Sequence, residues 1–172
     1  MTTASVAAWA EAYRQAWEHA DAAAAAALFA EGSSYRSNIF EEPHTGRDGI
    51  AAYWADVTES QADPTVLMGR PFVDGSRAAV EFWTTMRVDG DDTTLTGCLL
   101  LTFDEEGLCT DLREYWHFTS GILQPPASWG SLGEEFDPPE DQSPRSRGGT
   151  AGTRHASAPR RTPPETPTGW DR

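Results

Sequence analysis

The chain has 172 residues, 38% of them apolar and 10% aromatic, enough for one folded domain with a real core. A net charge of −14 argues against a nucleic-acid surface, which needs a basic stripe to displace counterions. Thirteen arginines and no lysine, beside abundant alanine, hint at a GC-rich bacterial source.

Two cysteines, Cys98 and Cys109, fit a reduced cytosolic protein better than a disulfide framework. No basic, then apolar, leader opens the sequence, and no apolar run is long enough to cross a bilayer. The expectation is a cytoplasmic protein.

The chain opens as a helix, because Val6, Trp9, Tyr13, Ala16 and Trp17 recur at three- and four-residue steps. Asp21 is placed to cap a second, alanine-rich helix running through Leu28 and Phe29 and ended by Gly32. The run "SSYRSNIF" reads as a short strand. A third helix follows "HTGRDG": Thr45 and Asp48 have the spacing of a capping box, and Ile50, Tyr53, Trp54 and Val57 form one stripe.

Beyond residue 64 the pattern turns to strands. "VLMGRPFV", "RAAVEFWTTMRV", "TTLTGCLLLTF" and "LCTDLREYWHF" are separated by "DGS", "DGDD" and "DEEG", the turn chemistry of a meander. Helices first and strands after predict an α+β domain, with the helices packed on one face of a curved sheet.

The composition changes near residue 121, beyond which nine of the twelve prolines lie. Residues 122–140 keep Ile122, Leu123, Trp129 and Phe136 and read as a strap or lid. Residues 141–172 hold a single large apolar side chain, Trp170, and read as a disordered Pro/Arg-rich tail. The acidity sits in the domain: residues 1–121 carry −13.

In "DLREYWHF" strand alternation puts Leu112, Glu114, Trp116 and Phe118 on one face, so a carboxylate stands in an apolar row. The neighbouring strands each have a mixed face too: Thr96, Cys98 and Leu100 on one, Glu81 and Trp83 on the other. Joined to Glu114 and Trp116, these faces describe a half-polar concave pocket rather than a filled core. A carboxylate there has its charged form penalised, which raises its pKa toward the range of acid–base work. A second acid, Glu81, would push one of the pair higher. The inert alternative is a Glu114 paired with an arginine or set at a wet sheet end.

Tyr35 and Ser37 share a strand face and can send hydroxyls into the same space. His44 lies in a loop before a helix, where an imidazole titrates near neutrality. Trp54, Trp83 and Trp116 are candidate flat walls. Glycine-rich phosphate loops, dinucleotide fingerprints, paired-cysteine zinc spacing and nucleophile elbows are absent, so neither nucleotide cofactor nor metal is expected.

Taken in order, "LFAEGSSYRS", "GRDGIAAYW" and "GLCTDLREYW" resemble the SnoaL-like branch of the nuclear transport factor 2-like superfamily, over roughly residues 5–121. The most specific piece is the final strand, similar to the R-[DE]-Y-[FW] ending of that branch. The resemblance implies a sheet curled around a conical pocket closed by three helices, with homodimers formed through the sheet's outer face. It also implies a small-molecule ligand, in a superfamily of polyketide cyclases, ketosteroid isomerases, dehydratases, epoxide hydrolases and non-catalytic proteins.

Against the limonene epoxide hydrolase pattern, the water-activating acid matches Glu114. The tyrosine and asparagine that hold the water match Tyr35 and Ser37. The arginine and aspartate that complete the triad match Glu81 and Trp83, so that relay is not reproduced here. The expected chemistry is cofactor-free proton transfer (cyclisation, isomerisation or dehydration, as in secondary metabolism) on a mostly apolar, cyclic molecule. Glu114 would be general acid or base, with Glu81, Tyr35 and His44 beside it. Ser37, Trp54, Trp83, Thr96, Cys98, Leu100 and Trp116 would line the substrate's site. The rival reading is a binding or accessory module with the same pocket and no turnover.

Overall fold

The computed structural model describes residues 1–130; the readings made for residues 131–172 fall outside it. Helix α1 spans Thr3–Glu18 and is started by a reciprocal cap: the Thr2 hydroxyl accepts from Ser5 N–H, and the Ser5 hydroxyl accepts from Thr2 N–H. Val6, Trp9, Ala10, Tyr13, Ala16 and Trp17 make its buried stripe, as their spacing predicts. The Asp21 carboxylate caps α2, Ala22–Ala27, by accepting from Ala24 N–H at 2.9 Å.

The second helix is shorter than expected. Strand β1 runs Phe29–Arg36, and Phe29 is fully buried where it pairs with Cys109. Tertiary pairing overrides the helical pattern there, and the strand both starts and ends four residues before the expected run. A short strand and a helix complete the first half: β2, His44–Thr45, pairs with β1, and α3, Gly46–Glu59, follows it. The capping box expected at Thr45 does not form, since its side chain makes no cap hydrogen bond. Ile50, Trp54 and Thr58 are the buried positions of α3, with Tyr53 and Val57 half-buried.

The run expected as one strand from Val66 is two. Strand β3 spans Gln61–Met68 and β4 spans Phe72–Asp74, divided at Gly69–Pro71. Pro64 is tolerated within β3 because that strand is at the sheet's edge and its register shifts between Ala62 and Thr65. The meander follows as predicted: β5 Arg77–Val88, β6 Asp91–Phe103 and β7 Cys109–Ser120. The order is β2-β1-β7-β6-β5-β3, with β4 also on β5. The β1–β7 pair is parallel and the others are antiparallel, giving a mixed, curved, unclosed seven-stranded sheet.

The core between helices and sheet is aromatic. Trp9 stacks on Tyr13 at 5.2 Å and meets Phe29 and Phe103 edge-on. Trp17 meets Trp54 and Phe82 edge-on, and its indole N–H donates to Gln61 Oε1 at 2.8 Å. Gly97 faces this core opposite Phe82 and Trp116; a Cβ there would stand 2.8 Å from the Phe82 ring and 2.4 Å from Tyr115 O.

After β7 the chain crosses the sheet's outer face. The Thr94 hydroxyl donates to Gly121 O at 2.7 Å and accepts from Leu123 N–H at 2.9 Å. The Trp83 indole donates to Leu123 O at 3.0 Å and meets Trp129 edge-on. Arg70 N–H then donates to Gly130 O at 2.9 Å, at the end of β3. The described part of the 122–140 segment is thus a strap on the outside of the sheet. Among the described residues no helix is long and apolar enough to cross a membrane.

Candidate active site around Glu114

Strand register decides which residues surround Glu114. It stands opposite Leu99, which stands opposite Val80, and both are fully buried. The inner row two residues further along is Trp116, Gly97 and Phe82. Glu81 instead aligns with Cys98 and Tyr115, Trp83 with Thr96 and His117, and Leu100 with Arg113. Directly paired residues share a face, so Glu81, Trp83, Thr96, Cys98 and Leu100 lie on the outer face. The grouping of these five with Glu114 is corrected: the mixed rows are the outside of the sheet, partly under the strap. The carboxylate's own row is branched aliphatic and aromatic.

At the inner face a helix and a strand converge on Glu114. Tyr35, from β1, donates its phenol proton to Glu114 Oε1 at 2.5 Å. Tyr13, from α1, reaches the same oxygen at 3.1 Å, and the two phenol oxygens lie 2.8 Å apart. The Oε2 atom takes no hydrogen bond from the described residues, and Glu114 as a residue keeps partial exposure. One oxygen is therefore anchored and the other is presented.

No arginine pairs with Glu114 among the described residues; Arg113 contacts Asp111 at 3.3 Å on the opposite face. Burial with no cation pushes the Glu114 carboxyl up to about 7, and the donated bonds from Tyr35 and Tyr13 only partly oppose this. Burial and the nearby carboxylate push the Tyr13 and Tyr35 phenols well above their usual range, so both remain donors.

A second polar limb leads outward. Trp116 donates its indole N–H to Ser37 O at 2.9 Å, and Ser37 Oγ is 3.4 Å from His44 Nε2. His44 stacks on Tyr53 at 4.3 Å, and Tyr53 packs against Tyr35 at 5.1 Å. Burial raises the Tyr53 phenol, with the Ser37 and Tyr35 hydroxyls close enough to offset part of the effect. Burial lowers the His44 pKa, so its ring is neutral near pH 7.

The fold thus brings Glu114, Tyr35, Ser37, His44 and Trp116 together, with Trp54 edge-on to Tyr13 at 5.2 Å in the adjoining cluster. Sequence reasoning missed Tyr13 and Tyr53, which fell into apolar helix stripes. The available signal was the phenol itself, because a buried tyrosine needs a partner for its hydroxyl. A separate groove of about 540 Å³ lies between the start of α1 and Met68–Pro71, away from Glu114. Among the described residues no cluster of three or more metal-ligating side chains occurs.

Solved structures share this architecture. A hypothetical protein of ketosteroid isomerase-like fold from Catenulispora acidiphila, in complex with trimethylamine, matches with TM-score 0.57 and 20% identity, over 62% of this chain and 83% of its own. SalBIII, described as an epoxide hydrolase/cyclase-like enzyme in pyran ring formation in the polyether salinomycin, matches with TM-score 0.58 and 16% identity, over 66% and 94%. An LEH-like epoxide hydrolase from M. tuberculosis matches with TM-score 0.55 and 17% identity, over 66% and 84%. At such identities the likeness concerns the fold. Comparison with curated proteins finds no match. The model of the SnoaL-like domain family matches residues 10–112, more than half of the sequence, ending two residues before Glu114. The chain belongs to the SnoaL-like domain family.

Proposed function

We propose that this domain binds a mostly apolar, cyclic small molecule against Glu114 and carries out cofactor-free proton transfer on it. The observation that carries the reading is the asymmetric carboxyl: Oε1 held by two buried phenols, Oε2 unbonded, and a pKa of about 7 without a cation beside it. At neutral pH both forms are populated, so the group can take a proton and return it.

A ketone is the simplest substrate for such a step. Glu114 Oε2 removes a proton from the carbon next to the carbonyl, and the C–H electron pair becomes the enolate double bond. Ser37 and Tyr53 are the hydroxyls available to the enolate oxygen. Return of the proton at another carbon is isomerisation; attack of the enolate carbon on a second carbonyl is cyclisation; loss of a β-hydroxyl, protonated as it leaves, is dehydration. Trp116, half-buried two residues along the same strand face, supplies flat apolar surface, and Trp54 backs Tyr13 from within the core. Secondary metabolism is the proposed setting, supported by the cyclase-like fold relatives. A homodimer through the outer face would use what the strap leaves uncovered, including Phe72 and Tyr115, which are 51% and 45% exposed.

The test uses 2-decalone in D₂O, with exchange of its α-protons followed by NMR. Exchange above the buffer rate in the wild type, lost in E114Q, supports the reading. Binding of the ketone with no exchange would replace it with the non-catalytic module, and no binding at all would remove both.

A further inference from the structure

We propose that the six-residue loop Asn38–Pro43 is the cover of the Glu114 site, and that Phe40 at its tip is a ligand-contact residue. The inference rests on the proposed ligand site and adds a specificity-determining residue outside the acid–base machinery.

Both ends of the loop belong to the site. It leaves at Ser37, whose carbonyl accepts from Trp116, and returns at His44, stacked on Tyr53. The two ends meet where Ser37 Oγ lies 3.4 Å from His44 Nε2, which closes the neck. Phe40 is three residues beyond Ser37, a reach of roughly 10 Å, enough for its ring to swing over a molecule held against Glu114.

The loop is a braced turn. Asn38 Oδ1 accepts from Phe40 N–H at 3.1 Å, Asn38 Nδ2 donates to Glu41 Oε1 at 2.9 Å, and Glu41 N–H donates to Asn38 O at 3.2 Å. Arg36 donates to Glu41 O from the end of β1. These bonds hold the turn's shape, with Phe40 at its tip. Phe40 is 94% exposed, whereas the other exposed large apolar side chains among the described residues lie between 41% and 51%. Single exposed apolar side chains are common on surfaces; this one is held out by its own hydrogen-bonded turn beside a half-buried site.

Charge selects the occupant. Glu41 and Glu42 follow Phe40, and the chain carries −14, so a second copy or an anionic bilayer meets repulsion at this tip. A neutral, apolar molecule does not. The ligand class is therefore an uncharged cyclic compound large enough to extend from Glu114 to the loop; a single ring against Glu114 falls short of it.

The experiment is calorimetric titration of the full chain with cyclohexanone and with 2-decalone, for wild type, F40L and F40S. The Phe40 ring is almost wholly in solvent, so the variants keep the wild-type melting temperature, which is checked first. F40S is expected to weaken 2-decalone binding roughly tenfold or more, F40L to recover most of it, and cyclohexanone to bind all three alike. Equal 2-decalone affinity in wild type and F40S overturns the loop proposal and leaves the ligand site standing. Loss of self-association in F40S, by sedimentation, with unchanged ketone affinity also overturns it. A wild type that binds neither ketone overturns the loop proposal together with the proposed function.

Discussion

Replacing Glu114 by glutamine is expected to stabilise the protein, and only at high pH. The folded state holds the Glu114 proton up to about 7, whereas the unfolded chain releases it near 4.5. Between those values the folded state binds the extra proton, so the Glu114 contribution to stability falls as pH rises and levels off above 7. At roughly 1.36 kcal/mol per tenfold, the interval from 4.5 to about 7 amounts to about 3 kcal/mol. The neutral amide of E114Q escapes this loss while its oxygen still accepts from Tyr35 and Tyr13. Urea unfolding of both proteins from about pH 4 to about pH 8 isolates the effect, because the other carboxylates cancel in the difference. The variant should match or trail wild type near pH 4 and exceed it by about 3 kcal/mol near pH 8, on the order of 10 °C in Tm. A difference that stays flat with pH would refute the reasoning, as would an E114Q protein less stable at high pH.

Further expectations concern the groups around the carboxyl and the sheet that carries it. Y35F removes the shorter of the two donated bonds and should move the Glu114 titration above 7, with Y13F moving it less; NMR pH titration of the two variants checks the order. T94V leaves Gly121 O and Leu123 N–H without their shared partner and should loosen the strap, costing about 1 kcal/mol; faster proteolysis between residues 121 and 130 is the readout. G97A puts a methyl group where the Phe82 ring and the Tyr115 carbonyl leave no room and should cost about 1–3 kcal/mol or more in denaturant titration.

The meander was legible because its turn residues are dense and its strands long: β5 matches the run Arg77–Val88 end to end. The α2–β1 junction was not legible, since Phe29 continues a helical pattern and is made a strand residue only by its distant partner Cys109. The face of Glu114 was read correctly within its own strand, but the neighbouring strands were joined to it one residue out of phase. Alternation says which residues of one strand travel together; it does not say which face of the next strand they join. The polar rows looked like pocket because a pocket was expected to be mixed. The carboxylate instead stands among Val80, Leu99 and buried tyrosines, and this apolar setting is what raises its pKa. Tyr13 and Tyr53 stayed hidden because their rings satisfy the helix stripe and only the third dimension shows where their hydroxyls go.

The central claim is that Glu114 is a carboxyl poised near neutrality by burial and two phenols. It is tested most directly by following its side-chain ¹³C resonance with pH in the full chain, assigned by its absence in E114Q. A midpoint near 7 is the predicted result. A midpoint at or below 4.5 would contradict the account, since it would mean that the carboxylate is solvated or paired and has no special readiness to move a proton.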